Sequence, residues 1–256
     1  MQLAGFSNNQ MITSVEAIVA AVMLFIGSTV LSTVGFGIGM STTPVLLLVF
    51  EPQTVVVVVN TISIVLFGLI IYQNRTDIPV RTVIPWSLAG LVGVPVGVFV
   101  LSSASASLLR IGITVLIIVL TVVTALNLQN VIPRWRWFGF LVAAVVSALL
   151  NSLGIGGPLM ALYILSQGWS RNAIRGSLAF YFVVVEASGV VGYGVTGLLT
   201  QERVALILIT VIPVTLGFWL ATFLVKRMNE AVFRRAVVVV IVGTSLMVLA
   251  REVSKI

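Results

Sequence analysis

Apolar residues run along this chain in long blocks that hold almost no charge, separated by short basic connections. The blocks fall at 15–34, 41–50, 54–73, 82–101, 108–126, 137–152, 158–166, 175–197, 204–225 and 236–250. A helix rises about 1.5 Å per residue and a bilayer core is about 30 Å thick, so roughly 20 apolar residues cross it once. Blocks 54–73, 82–101, 108–126, 175–197, 204–225 and, marginally, 236–250 meet that length. The other four form two pairs, and the second member of each pair spans only about half a bilayer.

A glycine-rich interruption separates the members of each pair. The first reads Gly35-Phe36-Gly37-Ile38-Gly39-Met40 and runs into Ser41-Thr42-Thr43-Pro44. The second reads Asn151-Ser152-Leu153-Gly154-Ile155-Gly156-Gly157-Pro158. An offset of 117 lays Gly154-Ile155-Gly156 on Gly37-Ile38-Gly39, and one of 124 lays Gly217 on Gly93 and Phe233-Arg234 on Leu109-Arg110. The shared order of break, long blocks and basic end implies a duplication, with residues 1–128 and 129–256 as two repeats of one integrated membrane domain.

Counting Lys and Arg decides whether a broken pair crosses or folds back. If 137–166 crosses once, the two sides carry seven basic residues each. If it is a re-entrant hairpin, Arg75, Arg81, Arg134, Arg136, Arg171, Arg175, Lys226, Arg227, Arg234 and Arg235 share one side. Arg110, Arg203, Arg251 and Lys255 are then left opposite. Ten against four is the asymmetry of inserted proteins, with the richer side cytoplasmic. The expected fold is therefore all-α and integral to the membrane. It comprises two inverted repeats, each a broken re-entrant hairpin plus three transmembrane helices, with both termini outside. Trp135 and Trp137, alternating with Arg134 and Arg136, suit a cytoplasmic headgroup anchor.

Composition narrows the chemistry. The 256 residues are 59% hydrophobic and 8% charged, against about 25% charged in soluble domains. The net charge of +7 comes from loop residues that orient a membrane protein, so nucleic acid is not an expected partner. A cleaved signal is not expected either: the first ten residues lack Lys and Arg, and 15–34 exceeds a usual signal core. With no Cys and no His, thiol chemistry and imidazole metal sites are excluded, and no cofactor is expected. Asp77 is the only aspartate, which rules out a two-aspartate intramembrane protease.

Non-helical backbone survives at membrane depth only inside protein or beside a wet cavity. A helix restarting after each break presents free N–H groups and the positive end of its dipole. Ser41, Thr42 and Thr43 are candidate caps for the first restart, and Pro44 and Pro158 suit early helical positions. Two such N-termini brought together make a site for a small anion with no buried cation. Gly37, Gly39, Gly154, Gly156 and Gly157 would form its backbone wall. Asn60, Thr61, Asn151, Ser152 and Ser177 are candidate donors to an oxyanion or, equally, interhelical bridges. Glu186, the one carboxylate deep in a long block, is a candidate proton carrier or a structural hydrogen-bonder. Arg175 is a candidate anion entrance or an orienting charge.

The Gly-Phe-Gly-Ile-Gly break with Pro44, the Gly-Ile-Gly-Gly-Pro break, Asn60-Thr61, Gly176-Ser177-Leu178, and Gly90, Gly93 and Gly97 together resemble the sulfite exporter TauE/SafE family of bacterial membrane permeases. The resemblance covers nearly the whole chain. It implies a secondary transporter, not an enzyme, in a bacterial or archaeal cell membrane, exporting sulfite, thiosulfate or organosulfonates by alternating access. The partners implied are the small anion, the lipid bilayer and a candidate coupling proton, with a homodimer as a candidate assembly. An anion channel, or a permease for a different small carboxylate or oxyanion, is the alternative.

Overall fold

The computed structural model describes residues 13–125, 133 and 135–224. Within them nine helices follow one another: α1 (Ser14–Val34), α2 (Ile38–Leu46), α3 (Pro52–Asn74), α4 (Val80–Ser103), α5 (Ala106–Ala125), α6 (Arg136–Leu153), α7 (Gly157–Ser166), α8 (Arg171–Val195) and α9 (Gln201–Leu224). Helices α1, α3, α4, α5, α8 and α9 are each long and apolar enough to cross a membrane. The block 236–250, both termini, and Arg134, Lys226, Arg227, Arg234, Arg235, Arg251 and Lys255 lie outside the described residues.

Each broken pair folds back on itself. Gly27 of α1 faces Thr42, Ile38 and Ser41 of α2. Had α2 continued the line of α1, residues 27 and 42 would stand about 20 Å apart at helical rise. In the second pair the Tyr163 hydroxyl of α7 reaches back to the Trp135 carbonyl ahead of α6, 3.3 Å away. Both hairpin tips turn on a glycine with positive φ, Gly35 (96°) and Gly154 (70°), a conformation that costs an L side chain about 1–2 kcal/mol.

The fold-back fixes which ends of the helices lie together. Gly176, in the second turn of α8, packs on Asn74 and Ile78 at the junction of α3 and α4, so α3 and α8 are antiparallel. Trp86 of α4 stacks on Trp169, ring centroids 5.7 Å apart, at the same end. Arg75, Arg81, Arg171 and Arg175 therefore share one end. At the other end Arg203 donates to Thr54 at the start of α3, and Arg110 lies in the second turn of α5, just past the short link from α4. This is the partition expected of a hairpin; a single crossing of 137–166 would have separated Arg171 and Arg175 from Arg75 and Arg81.

The packing partners repeat across the chain. α4 packs on α6 as α9 packs on α1, and α3 packs on α8 at the centre. A Cβ on Gly93 of α4 would fall on the Ala144 carbonyl oxygen of α6, and one on Gly217 of α9 would fall on the Phe25 carbonyl oxygen of α1. These are backbone-close crossings, which small residues permit in bilayers where no hydrophobic force drives helices together. The turn at each break and the first caps correspond at an offset of 119, pairing Gly35 with Gly154, Gly37 with Gly156 and Glu51 with Ser170. The offset of 117 read from the Gly-Ile-Gly strings is thus two residues short, because identical letters there occupy different positions in the turn.

Candidate functional site

The two breaks meet. Gly39, in the first turn of α2, lies against the Gly154 carbonyl oxygen, and Gly157, first residue of α7, faces Phe36 and the Gly37 nitrogen. No side chain caps either restarted helix; Gly37 and Gly156 occupy the cap positions. The positive dipole ends of α2 and α7 thereby border one space; in α7 Pro158 has no N–H and Leu159 donates to the Gly156 carbonyl, which leaves the Gly157 amide as the first-turn donor.

The carbonyl ends of the preceding helices are closed off by the two central helices. Arg175 of α8 donates to the Ser32 carbonyl of α1, 2.7 Å away. Asn60 of α3 donates through Nδ2 to the Leu150 carbonyl of α6 and to the Tyr193 hydroxyl, both at 2.9 Å. That hydroxyl in turn donates to the Asn151 carbonyl at 3.0 Å. Terminal helix carbonyls left bare in an apolar interior cost the desolvation of each group, so these donors hold the hairpin tips in place. The crossed arrangement repeats in the backbone: Gly35 packs on Arg175 as Gly154 packs on Val56, each Cβ position within 3.8 Å of the partner's Cα.

Between the tips lies a cavity of about 20 Å³, room for about one water. Its walls are the backbone of Gly37 to Gly39 and Gly154 to Pro158 together with side chains from mid-α3 and mid-α8. Three polar side chains reach it: Asn60, Ser63 and Glu186. Asn60 Oδ1 and Glu186 Oε2 are buried with no hydrogen-bond partner, although Glu186 is 2% exposed. The rest of the lining is apolar. Phe67 and Phe182 stack with centroids 5.1 Å apart, and Phe36 joins them.

Of the expected site residues, Gly37, Gly39, Asn60, Gly154, Gly156, Gly157 and Glu186 line this cavity; the others do not. Ser41 and Thr42 are not caps. They lie inside α2, where their hydroxyls donate back to Gly37 and Ile38 carbonyls, because Gly37 starts the helix earlier than the hydroxyl run suggests. Thr43 follows them, buried, and Pro44 is the seventh residue of α2, not an early one; Pro158 does occupy the first turn of α7. Thr61 and Ser152 likewise bond to carbonyls one turn back. The Asn151 side chain turns away from the cavity, donating to Ser147 and filling the space beside Gly189. Ser177 is buried away from the cavity. Arg175 caps α1 instead of standing at an entrance. The aromatic trio and Tyr193 were not anticipated, since a phenylalanine in an apolar block carries no signal of which side it faces.

The described residues hold no cluster of acidic side chains suited to a metal. A family model described as Sulfite exporter TauE/SafE matches residues 19–248. No curated protein matches the chain, and no solved structure does.

Proposed function

The chain belongs to the sulfite exporter TauE/SafE family, a family of membrane transporters and not of enzymes, and from that premise we propose that it carries small sulfur-containing oxyanions by alternating access around the meeting point of α2 and α7. The observation that carries this reading is the contact of the two uncapped helix N-termini across one small cavity. An anion there takes hydrogen bonds from backbone amides and the field of two dipoles, and needs no lysine or arginine. Asn60 and Ser63 sit beside the space its oxygens would occupy.

The cavity is too small for sulfite, thiosulfate or a sulfonate. Substrate must therefore be admitted by separation of the helices around it, which favours a carrier over an open channel. The crossed pairs Gly35–Arg175 with Gly154–Val56, and Gly93–Ala144 with Gly217–Phe25, support two repeats related by a twofold axis. The antiparallel course of α3 and α8 supports reading that relation as an inversion. Rocking of one repeat against the other would then expose the site to each face in turn. We place the end carrying Arg75, Arg81 and Arg171 in the cytoplasm by the excess of basic residues there. Export of a species that leaves with net negative charge is then favoured by an inside-negative potential, about 2.3 kcal/mol per charge per 100 mV.

The test is purified protein in liposomes loaded with sulfite, thiosulfate, methanesulfonate or sulfate, with efflux followed at set potential. Saturable efflux of the sulfur oxyanions is expected, with an inside-negative potential accelerating those that leave carrying net negative charge. Its absence for all of them overturns the reading, and unsaturable single-channel currents would replace the carrier with a channel.

A further inference from the structure

We infer that Glu186 couples the anion to a proton, so that the site takes up its anion only together with one proton held on the Glu186 carboxylate. The inference deepens the transport reading above and rests on it. The wall of the cavity combines two helix N-termini with a single ionisable side chain, and that side chain is acidic. Glu186 lies 2% exposed, with Oε2 free of any hydrogen-bond partner.

Among the described residues of the helices packed on α8, no cation stands by to hold it as a carboxylate. α3 and α7 contain no charged residue, and α4 and α6 contain one each, Arg81 and Arg136, in their first turns at the far end of the bundle. On α8 itself the charged residues are Arg171, in its first turn, and Arg175, committed to the Ser32 carbonyl. The nearby titratable groups are Tyr181 and Tyr193, and both donate their hydroxyls to α6 carbonyls, of Ala143 and Asn151.

A carboxylate and an oxyanion therefore compete for one positive field in one small space, and like charges that close oppose each other strongly. Protonation converts Glu186 from a competitor into an O–H donor toward an anion oxygen. The proton arrives from water on the side to which the site is open, resides on the carboxylate while the anion is bound, and leaves to water on the other side. No bond to the anion is made or broken.

The asymmetry of the repeats sets the number of protons. At the offset of 119 the counterpart of Glu186 is Phe67, which stacks on Phe182 and cannot titrate. One acid in a duplicated frame allows one proton per cycle.

The test uses the full chain in liposomes with a trapped pH dye and a clamped potential. Methanesulfonate is the probe, since it stays ionised across about pH 5–9, where only the protein titrates. Protons are expected to move with methanesulfonate in the same direction, about one for each anion, an electroneutral pair whose flux the membrane potential leaves unchanged. Flux is expected to fall about tenfold per pH unit on its alkaline limb. In Glu186→Gln the proton movement and the alkaline fall should both vanish, and methanesulfonate should still stabilise the detergent-solubilised variant against heat at alkaline pH, where it no longer stabilises the wild type. Methanesulfonate flux by the wild type without proton movement overturns the coupling and leaves the transport reading intact. Proton movement that survives in Glu186→Gln overturns the role of this residue. No flux of any sulfur oxyanion overturns the transport reading itself.

Discussion

The Arg175 guanidinium of α8 reaches the Ser32 carbonyl of α1, Nη2 to oxygen, at 2.7 Å. A charge that the sequence leaves as a candidate anion entrance or an orienting charge thus donates to the negative end of a helix that stops at the first glycine break. It complements that dipole and satisfies one of the carbonyls the break leaves bare.

Arg175→Ala should lower thermal stability in detergent, by about 1.5–3 kcal/mol for a lost charge-assisted bond. The apparent KM for the anion should change little with ionic strength in either protein. A salt-sensitive KM in the wild type that is lost in a variant of normal melting temperature would return Arg175 to the entrance.

Gly39→Ala should abolish flux and destabilise, since its Cβ would strike the Gly154 carbonyl oxygen, a backbone atom that cannot rotate away. Gly68→Ala is the control: it meets nothing within 4 Å and should be neutral or stabilise by up to about 1 kcal/mol through helix propensity. Equal behaviour of the two variants in flux and melting would dissolve the contact between the breaks.

Asn60→Ala removes the donor to Leu150 and Tyr193 and should cost about 1–3 kcal/mol in thermal unfolding, with flux lost. Asn151→Ala should also destabilise, through the bonds to Ser147 and the gap beside Gly189. Its defect should follow folding rather than anion affinity, so binding measured on the folded fraction should be preserved.

Gly93→Ala and Gly217→Ala should destabilise to similar extents, about 1–3 kcal/mol each by overpacking against α6 and α1. Similar losses, measured by chemical unfolding in detergent, would accord with one crossing used twice; a neutral result at either position would contradict it.

Phe67→Ala should widen the cavity and broaden the range of sulfonates carried toward longer alkyl chains, read as a rise in butanesulfonate flux relative to methanesulfonate. The stacked Phe182 would lose its partner, so some loss of stability accompanies the change. Unaltered chain-length preference would mean that the aromatic pair does not bound the site.

Much of the fold was legible because its causes are local. Block length against bilayer thickness identifies helices, and glycine strings mark where they break. The balance of Arg75, Arg81, Arg171 and Arg175 against Arg110 and Arg203 favours fold-back over crossing, and Gly176 packed on Asn74 and Ile78 bears this out for the described residues. The cap of α2 was misread because a hydroxyl run is a strong cap signal, yet Gly37 reaches the required left-handed turn without a side chain, φ 102°. The Gly-Ile-Gly strings align at an offset of 117 while the turn and cap positions correspond at 119, because the two strings stand at different places in their turns.

By itself the sequence determined that this chain lives in a membrane, breaks two of its apolar blocks with glycine, lacks thiol and imidazole chemistry, and belongs to a family of membrane transporters. Those facts follow from transfer energies and backbone preferences that act over a few residues. Only the tertiary structure decided which polar groups face one another. An asparagine in an apolar helix must find a partner, but whether it is a helix end, as for Asn60, or a neighbouring serine, as for Asn151, depends on how helices far apart in sequence cross. The same crossing brings Glu186 to the tips of α2 and α7, a juxtaposition that no spacing along the chain encodes.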